Sequence, residues 1–164
     1  MQDSPLLVHE FIGSLGKNAV VLDLGCGGGS IDYKLYSCRF KACDTSRHKG
    51  VDLFPPNVEF QISPADALPY ENHLFDAVIC NWIFEHLDDP VAVLRQIERV
   101  SKPEAYLYIS IPNSRSFEDR LYRRLYPNEG GHVQRYDIAN FLQMVYANSA
   151  FKLISFAEWA GEAD

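Results

Sequence analysis

Residues 20–30 read Val-Val-Leu-Asp-Leu-Gly-Cys-Gly-Gly-Gly-Ser, an apolar run of strand character that collides with a glycine-dense turn. That is the local grammar of a ligand loop at the end of a strand in an α/β sheet. Gly25, Gly27 and Gly29 form G-x-G-x-G, whereas a dinucleotide fingerprint carries a further glycine or alanine at the position held here by Ser30. Gly25 can take a positive φ and turn the chain sharply off the strand, and Gly27, without a Cβ, lets a ligand lie against bare backbone. A helix starting behind the loop would aim its free N–H groups at an anion, either a phosphate or a carboxylate. A plain turn could use the same glycines, so the rest of the chain must decide.

The apolar periodicity alternates between strand and helix. Residues 5–15 read as an amphipathic helix, 19–24 as the first strand, 31–37 as a short helix, and 39–43, 58–62 and 75–80 as further strands. Asp89 followed by Pro90 is a helix start, and Val93, Leu94, Ile97 and Val100 then form one apolar stripe. Residues 105–111 read as a long strand; Asp137 caps a helix with Ile138, Phe141, Leu142 and Val145 on one face; residues 151–156 read as a last strand. Such alternation predicts a doubly wound, mostly parallel sheet with right-handed crossovers and helices on both faces.

Composition narrows the class. A chain of 164 residues that is 47% hydrophobic has the size and apolar content of one domain spanning residues 1–164. No apolar run approaches the roughly 20 residues of a membrane span, and the N-terminus has no signal-peptide pattern, so a soluble, cytoplasmic protein with no membrane partner is expected. The net charge of −7 disfavours nucleic acid as a partner. Cys26, Cys38, Cys43 and Cys80 contain no C-x-x-C pair and read as reduced core thiols, with no metal called for.

Ligands of such sheets bind beyond the carboxyl ends of the strands, which makes strand-end residues a test. Asp44 closes the second strand about 20 residues after the loop, where a carboxylate can accept from both hydroxyls of a ribose; it would repel the 2′-phosphate of NADP but not NAD. After residues 58–62, Asp66 could accept from an adenine amino group while the Ala67 N–H donates to the ring; an ordinary Asp turn beside a proline has the same composition.

Asp23-Leu-Gly-Cys-Gly-Gly-Gly29 resembles motif I of the class I S-adenosylmethionine-dependent methyltransferases, D/E-x-G-x-G-x-G. Asp66-Ala-Leu-Pro-Tyr70 is similar to that family's third strand end. Phe75-Asp-Ala-Val, followed by Glu85-His-Leu-Asp-Asp-Pro90, looks like the F-D-x-V/I strand and E/H-H-x-x-D-P of its small-molecule, type 11-like branch. Residues 94–103 resemble the branch's helix end, with Glu104-Ala105 replacing the usual glycine pair, and Gly131-His-Val-Gln-Arg-Tyr136 is a looser likeness.

The resemblance implies a Rossmann-like sheet of six or seven strands and methyl transfer from S-adenosylmethionine, leaving S-adenosylhomocysteine, to a small-molecule nucleophile by direct in-line displacement. It places Asp23, Gly25, Cys26, Gly27, Asp44, Thr45, Asp66, Ala67 and Asn81 at the cofactor, and His132 and His86 as the catalytic candidates. Five of the nine arginines, Arg115, Arg120, Arg123, Arg124 and Arg135, crowd one stretch. An anionic acceptor would suit them, although Phe117, Leu121 and Leu125 recur every four residues, as on a helix whose arginines are simply solvated. Only the residues from 157 onward are left for a seventh strand, so the last strand is trimmed, lost or replaced by another chain, and the protein is a monomer or a homodimer. A non-catalytic adenosyl-binding relative and an NAD-dependent oxidoreductase are the alternatives.

Overall fold

The computed structural model describes residues 5–125 and 132–157. Five strands, β1 (Val20–Leu24), β2 (Arg39–Asp44), β3 (Val58–Ile62), β4 (Phe75–Asn81) and β5 (Ser101–Ser110), form one sheet in the order β3-β2-β1-β4-β5. Every pairing is parallel. β1 lies at the centre because its residues are apolar on both sides, the pattern of a strand covered on two faces.

Alternate residues of the strands feed two cores. On one face, Val8 and Ile12 of α1 (Pro5–Gly13) pack with Val21, Phe40, Ala77 and Ile79. On the other, α2 (Pro90–Val100) and α4 (Ile138–Asn148) cover Leu22, Leu24, Val78 and Cys80. Asp89 caps α2 by accepting from the Ala92 N–H at 2.9 Å, with Pro90 in the first turn, and the stripe Val93, Leu94, Ile97 and Val100 is buried as expected. Each such side chain contributes on the order of 1.5–3 kcal/mol. Asp137 and Asn140 form a reciprocal capping box for α4, which buries Phe141 and Val145, while Ile138 is exposed.

Three expectations are corrected. Residues 31–37 do not form a helix: only a 3₁₀ turn, Tyr33–Leu35, capped by Asp32, bridges β1 and β2. Tyr33 is drawn into the core between Phe40 and Phe54, so no helix N-terminus stands behind the glycine loop. Residues 151–156 do not form a strand. The backbone leaving α4 is engaged by side chains, Ala150 N–H donating to Glu98 Oε1 at 2.8 Å and Leu153 N–H to the Tyr146 hydroxyl at 3.4 Å, and Ile154 is 79% exposed. The sheet therefore has five strands among the described residues, not six or seven. Finally, the strand expected at residues 105–111 begins earlier, at Ser101: α2 runs directly into β5, and the register jumps from Phe75↔Ser101 to Ala77↔Tyr106, so the Lys102–Ala105 stretch bulges where the glycine pair is missing. Residues 158–164, left for a final strand, and Gly131 lie outside the described residues. No helix among those described is long and apolar enough to cross a membrane.

Candidate active site

Because the strands are parallel, their carboxyl ends share one rim: Leu24 is paired with Cys43, Asp44 with Ile62, and Asn81 with Ser110. At the centre of the rim the N–H groups of Gly25 and Cys26 both donate to Cys43 O, at 2.9 and 3.1 Å, which folds the glycine loop over the end of β2. Gly25 has φ +73°, and a Cβ there would sit 2.6 Å from Ile83 Cδ1, so only glycine satisfies both the turn and the contact. Gly27 is also left-handed, but a Cβ on it would meet nothing within 4 Å.

The Gly27 N–H donates to Asp44 Oδ2 at 2.9 Å, joining loop and acid. Asp44 Oδ1 accepts from the Thr45 hydroxyl at 3.3 Å, and His48 Nε2 lies 3.6 Å away. The Ser63 N–H donates to Asp44 O at 2.9 Å, and the Ser63 hydroxyl to Ala67 O at 3.2 Å, tying the exposed Asp66-Ala67 turn to the same rim. The Ala67 N–H itself donates to Pro64 O at 3.3 Å. Asn81 ends β4 with its side-chain oxygen accepting from the Ser110 hydroxyl. The next residue, Trp82, holds φ +58°, a backbone state disfavoured for a bulky side chain, while its N–H donates to Ser110 O at 3.1 Å.

Asp23 and Cys26 lie beneath this rim. Asp23 is fully buried; its Oδ2 accepts from Ser30 at 2.6 Å and Tyr33 at 2.5 Å, while Oδ1 has no partner. Burial pushes its carboxyl up to about 6. Ser30, which departs from the dinucleotide pattern, thus fastens the loop from below. The Cys26 thiol is buried and pushed well above its ordinary value, chiefly by desolvation.

A second group stands past β4. Glu85 and His86 lie in the 3₁₀ turn Phe84–His86, and His132 faces them from beyond α3 (Phe117–Leu125). The Gln134 N–H donates to Glu85 O and its side-chain amide to Leu87 O, both at 3.0 Å, which fixes the His132 segment against that turn. His132 Nδ1 is 2.5 Å from Asp119 Oδ1, and Asp119 Oδ2 accepts from Arg123 Nε at 2.6 Å. The remaining Arg123 nitrogens donate to His132 O and Gln134 O. The Tyr122 ring stacks on His132 at 4.6 Å, and the His86 ring meets it edge-on at 5.1 Å. Glu85 is 1% exposed with both carboxylate oxygens unpartnered, and burial pushes it up to about 7. Single ligand atoms of Glu85, His86 and His132 lie within 4.8 Å of one another.

The sequence assigned no role to Glu85 or Asp119; the legible signals were the place of Glu85 at the head of the Glu85–Pro90 motif and the i,i+4 spacing of Asp119 and Arg123. The arginines divide. Arg123 is spent on Asp119 and two carbonyls, Arg115 pairs with Asp137 at 2.5 Å, and Arg120, Arg123 and Arg135 line a cleft of about 170 Å³ together with Ser114. The stripe of Phe117, Leu121 and Leu125 is exposed.

Residues 5–155 match a family described as "Methyltransferase domain". The chain belongs to that family. Within it the chain has the character of a class I S-adenosylmethionine-dependent methyltransferase of the type 11-like kind. This methyltransferase domain is 32% identical over 110 residues to a ubiquinone biosynthesis O-methyltransferase of Xanthomonas oryzae, covering 58% of this chain and 44% of that protein. It is 28% identical over 132 residues to a tRNA (carboxymethyluridine(34)-5-O)-methyltransferase of Arabidopsis thaliana, covering 79% of this chain and 33% of that protein. The domain thus spans less than half the length of these relatives. Among solved structures it superposes on the YcgJ protein of Bacillus subtilis with a TM-score of 0.68 at 20% identity, covering 88% of this chain and 67% of that one. The [4+2]-cyclase SpnF superposes with a TM-score of 0.70 at 21% identity, covering 88% and 55%. The fold by itself therefore assigns no reaction.

Proposed function

We propose that this methyltransferase domain binds S-adenosylmethionine across the rim of β1, β2 and β4 and transfers its methyl group to a small-molecule acceptor that reaches it from the side of His86 and His132. The observation that carries the reading is the Gly27–Asp44 hydrogen bond, which unites the glycine bend with the acid of the next strand, beside open space at Gly27. The donor and acceptor set suits the group. Asp44 retains acceptor capacity for a ribose diol, the Asp66-Ala67 turn lies at the end of β3 on the adenine side, and Asn81 offers its amide to the amino-acid part. Asp23 and Cys26 support the loop from below rather than touching the ligand.

The bound cofactor supplies a methyl carbon made electrophilic by its sulfonium. The chain's own task is alignment: holding nucleophile and methyl carbon in line can contribute on the order of 7 to 11 kcal/mol. His132, oriented by Asp119, and His86 assist loss of the acceptor's proton. The cleft of Arg120 and Arg135 favours an acceptor carrying an anionic group.

Calorimetry against S-adenosylhomocysteine, NAD and FAD tests the cofactor assignment. Only the adenosyl sulfide should bind, and Asp44→Ala should weaken it by about 1 to 3 kcal/mol; unchanged affinity removes Asp44 from the site. Labelled cofactor offered with a metabolite extract and with tRNA tests the acceptor. Label in the small-molecule fraction supports the reading, label in tRNA replaces the acceptor class, and tight binding without any product favours a non-catalytic role.

A further inference from the structure

We propose that Glu85, His86 and His132 hold a divalent cation of the zinc type, on the acceptor side of the rim. The Glu85 carboxylate is 1% exposed and neither oxygen has a partner. A buried carboxylate left this way is costly, and the common remedies are a proton, a hydrogen-bond donor, an opposite charge or a metal ion. The nearby guanidinium of Arg123 gives Glu85 no hydrogen bond, because its nitrogens are committed to Asp119, His132 O and Gln134 O. What faces Glu85 instead is a pair of imidazoles, with one ligand atom from each of the three side chains inside a 4.8 Å span. Donors about 2.1 Å from a zinc ion lie roughly 3–4 Å apart, so small side-chain rotations close the set.

The surroundings of His132 match the way proteins prepare a metal-binding imidazole. Its Nδ1 is engaged by Asp119 at 2.5 Å, which leaves Nε2 as the ligating nitrogen, and Asp119 is itself held by Arg123. A carboxylate bonded to the far nitrogen fixes the tautomer and raises ligand basicity. The turn that carries Glu85 is held by the Gln134 N–H on Glu85 O and the Gln134 side-chain amide on Leu87 O. His86 is exposed and gives solvent a path to the site.

Two imidazoles and one carboxylate suit zinc, cobalt, nickel or iron(II) rather than calcium or magnesium, which prefer all-oxygen shells. Three protein ligands leave at least one position open, the pattern of an ion that meets substrate. An acceptor hydroxyl in that position would ionise at a lower pH than in water, so with the ion bound the two imidazoles assist proton loss through it rather than by taking the proton themselves. This catalytic use rests on the proposed methyl transfer; binding of the ion does not.

The test uses the full chain, stripped with a chelator and titrated with Co²⁺ by visible absorption and with Zn²⁺ by calorimetry, in the absence of cofactor. One ion per chain is expected. Glu85→Gln and His132→Ala should each weaken it by about 100-fold or more, and Asp119→Asn by about 10- to 100-fold, while His9→Ala on α1 leaves it unchanged. Should His132→Ala fail to fold, His86→Ala at an exposed position still carries the test, with a loss of about 10-fold or more. Absence of stoichiometric Zn²⁺ binding, wild-type affinity in Glu85→Gln and His86→Ala, or a preference for Mg²⁺ over Zn²⁺ would overturn the assignment. S-adenosylhomocysteine affinity of the stripped protein, measured in parallel, shows whether the cofactor site survives if the metal site does not.

Discussion

The two halves of the candidate site are assembled by different means. On the β1–β2 side, the glycine loop is held by main-chain donors to Cys43 O and to the Asp44 carboxylate, with Ser30 and Tyr33 fastened to Asp23 beneath it, all within a single stretch of residues 23–44. On the His132 side, three separate segments meet largely through side chains, with a single main-chain bond from Gln134 N–H to Glu85 O: Asp119 and Arg123 from α3, His132 and Gln134 from the loop after it, and Glu85 from the turn after β4. A region whose bonds all lie within one short stretch tolerates loss of a side chain in the other region. A region held by a charged network depends on every member, because removing one leaves another buried and unpaired.

That contrast can be broken in three places. The largest effect is expected for Arg123→Ala, which leaves the 1%-exposed Asp119 carboxylate without its cation and two carbonyls without donors. Loss of about 3 to 5 kcal/mol in urea unfolding is expected, with S-adenosylhomocysteine affinity retained in the folded fraction. Equal damage to cofactor affinity would show that the halves are coupled. Gly25→Ala strikes the other half: the left-handed φ and the 2.6 Å approach to Ile83 Cδ1 together should cost about 2 to 4 kcal/mol and weaken the adenosyl ligand as well. Adding Ile83→Ala should return the steric part and leave the backbone part, a separation that a double-mutant cycle measures.

The third concerns pH. The Asp23 carboxyl is pushed from 3.8 to about 6 mainly by burial, against the lowering influence of Ser30 and Tyr33. The folded protein therefore holds this proton more tightly than the unfolded chain. The associated stability is fully present below pH 3.8 and is lost as pH rises through about 6. Asp23→Asn, which cannot ionise, should remove that fall, a difference on the order of 2 kcal/mol between pH 4 and pH 7 in denaturant titrations. Parallel curves for the two proteins would mean that Asp23 does not change its protonation on folding.

Legibility follows the same division. The five strands, the α2 stripe of Val93, Leu94, Ile97 and Val100 and the caps at Asp89 and Asp137 were readable because each depends on residues a few positions apart. The strand expected at residues 151–156 carries Phe151, Leu153, Ile154 and Phe156 but pairs with no strand among the described residues: Glu98 takes the adjoining Ala150 N–H and Tyr146 the Leu153 N–H. The helix expected at 31–37 lost to Tyr33, whose ring fills the core and whose hydroxyl reaches Asp23.

By itself the sequence determined the alternation of elements, the glycine bend and the acids that end β2 and follow β3, since local propensity, periodicity and turn chemistry act over short stretches of chain. Only the tertiary structure decided that Asp23 supports the loop from beneath, that Arg123 is committed to Asp119, and that Glu85 is buried without a partner beside two imidazoles. Burial and pairing are properties of what the rest of the chain brings alongside, and no local pattern encodes a neighbour from a distant segment.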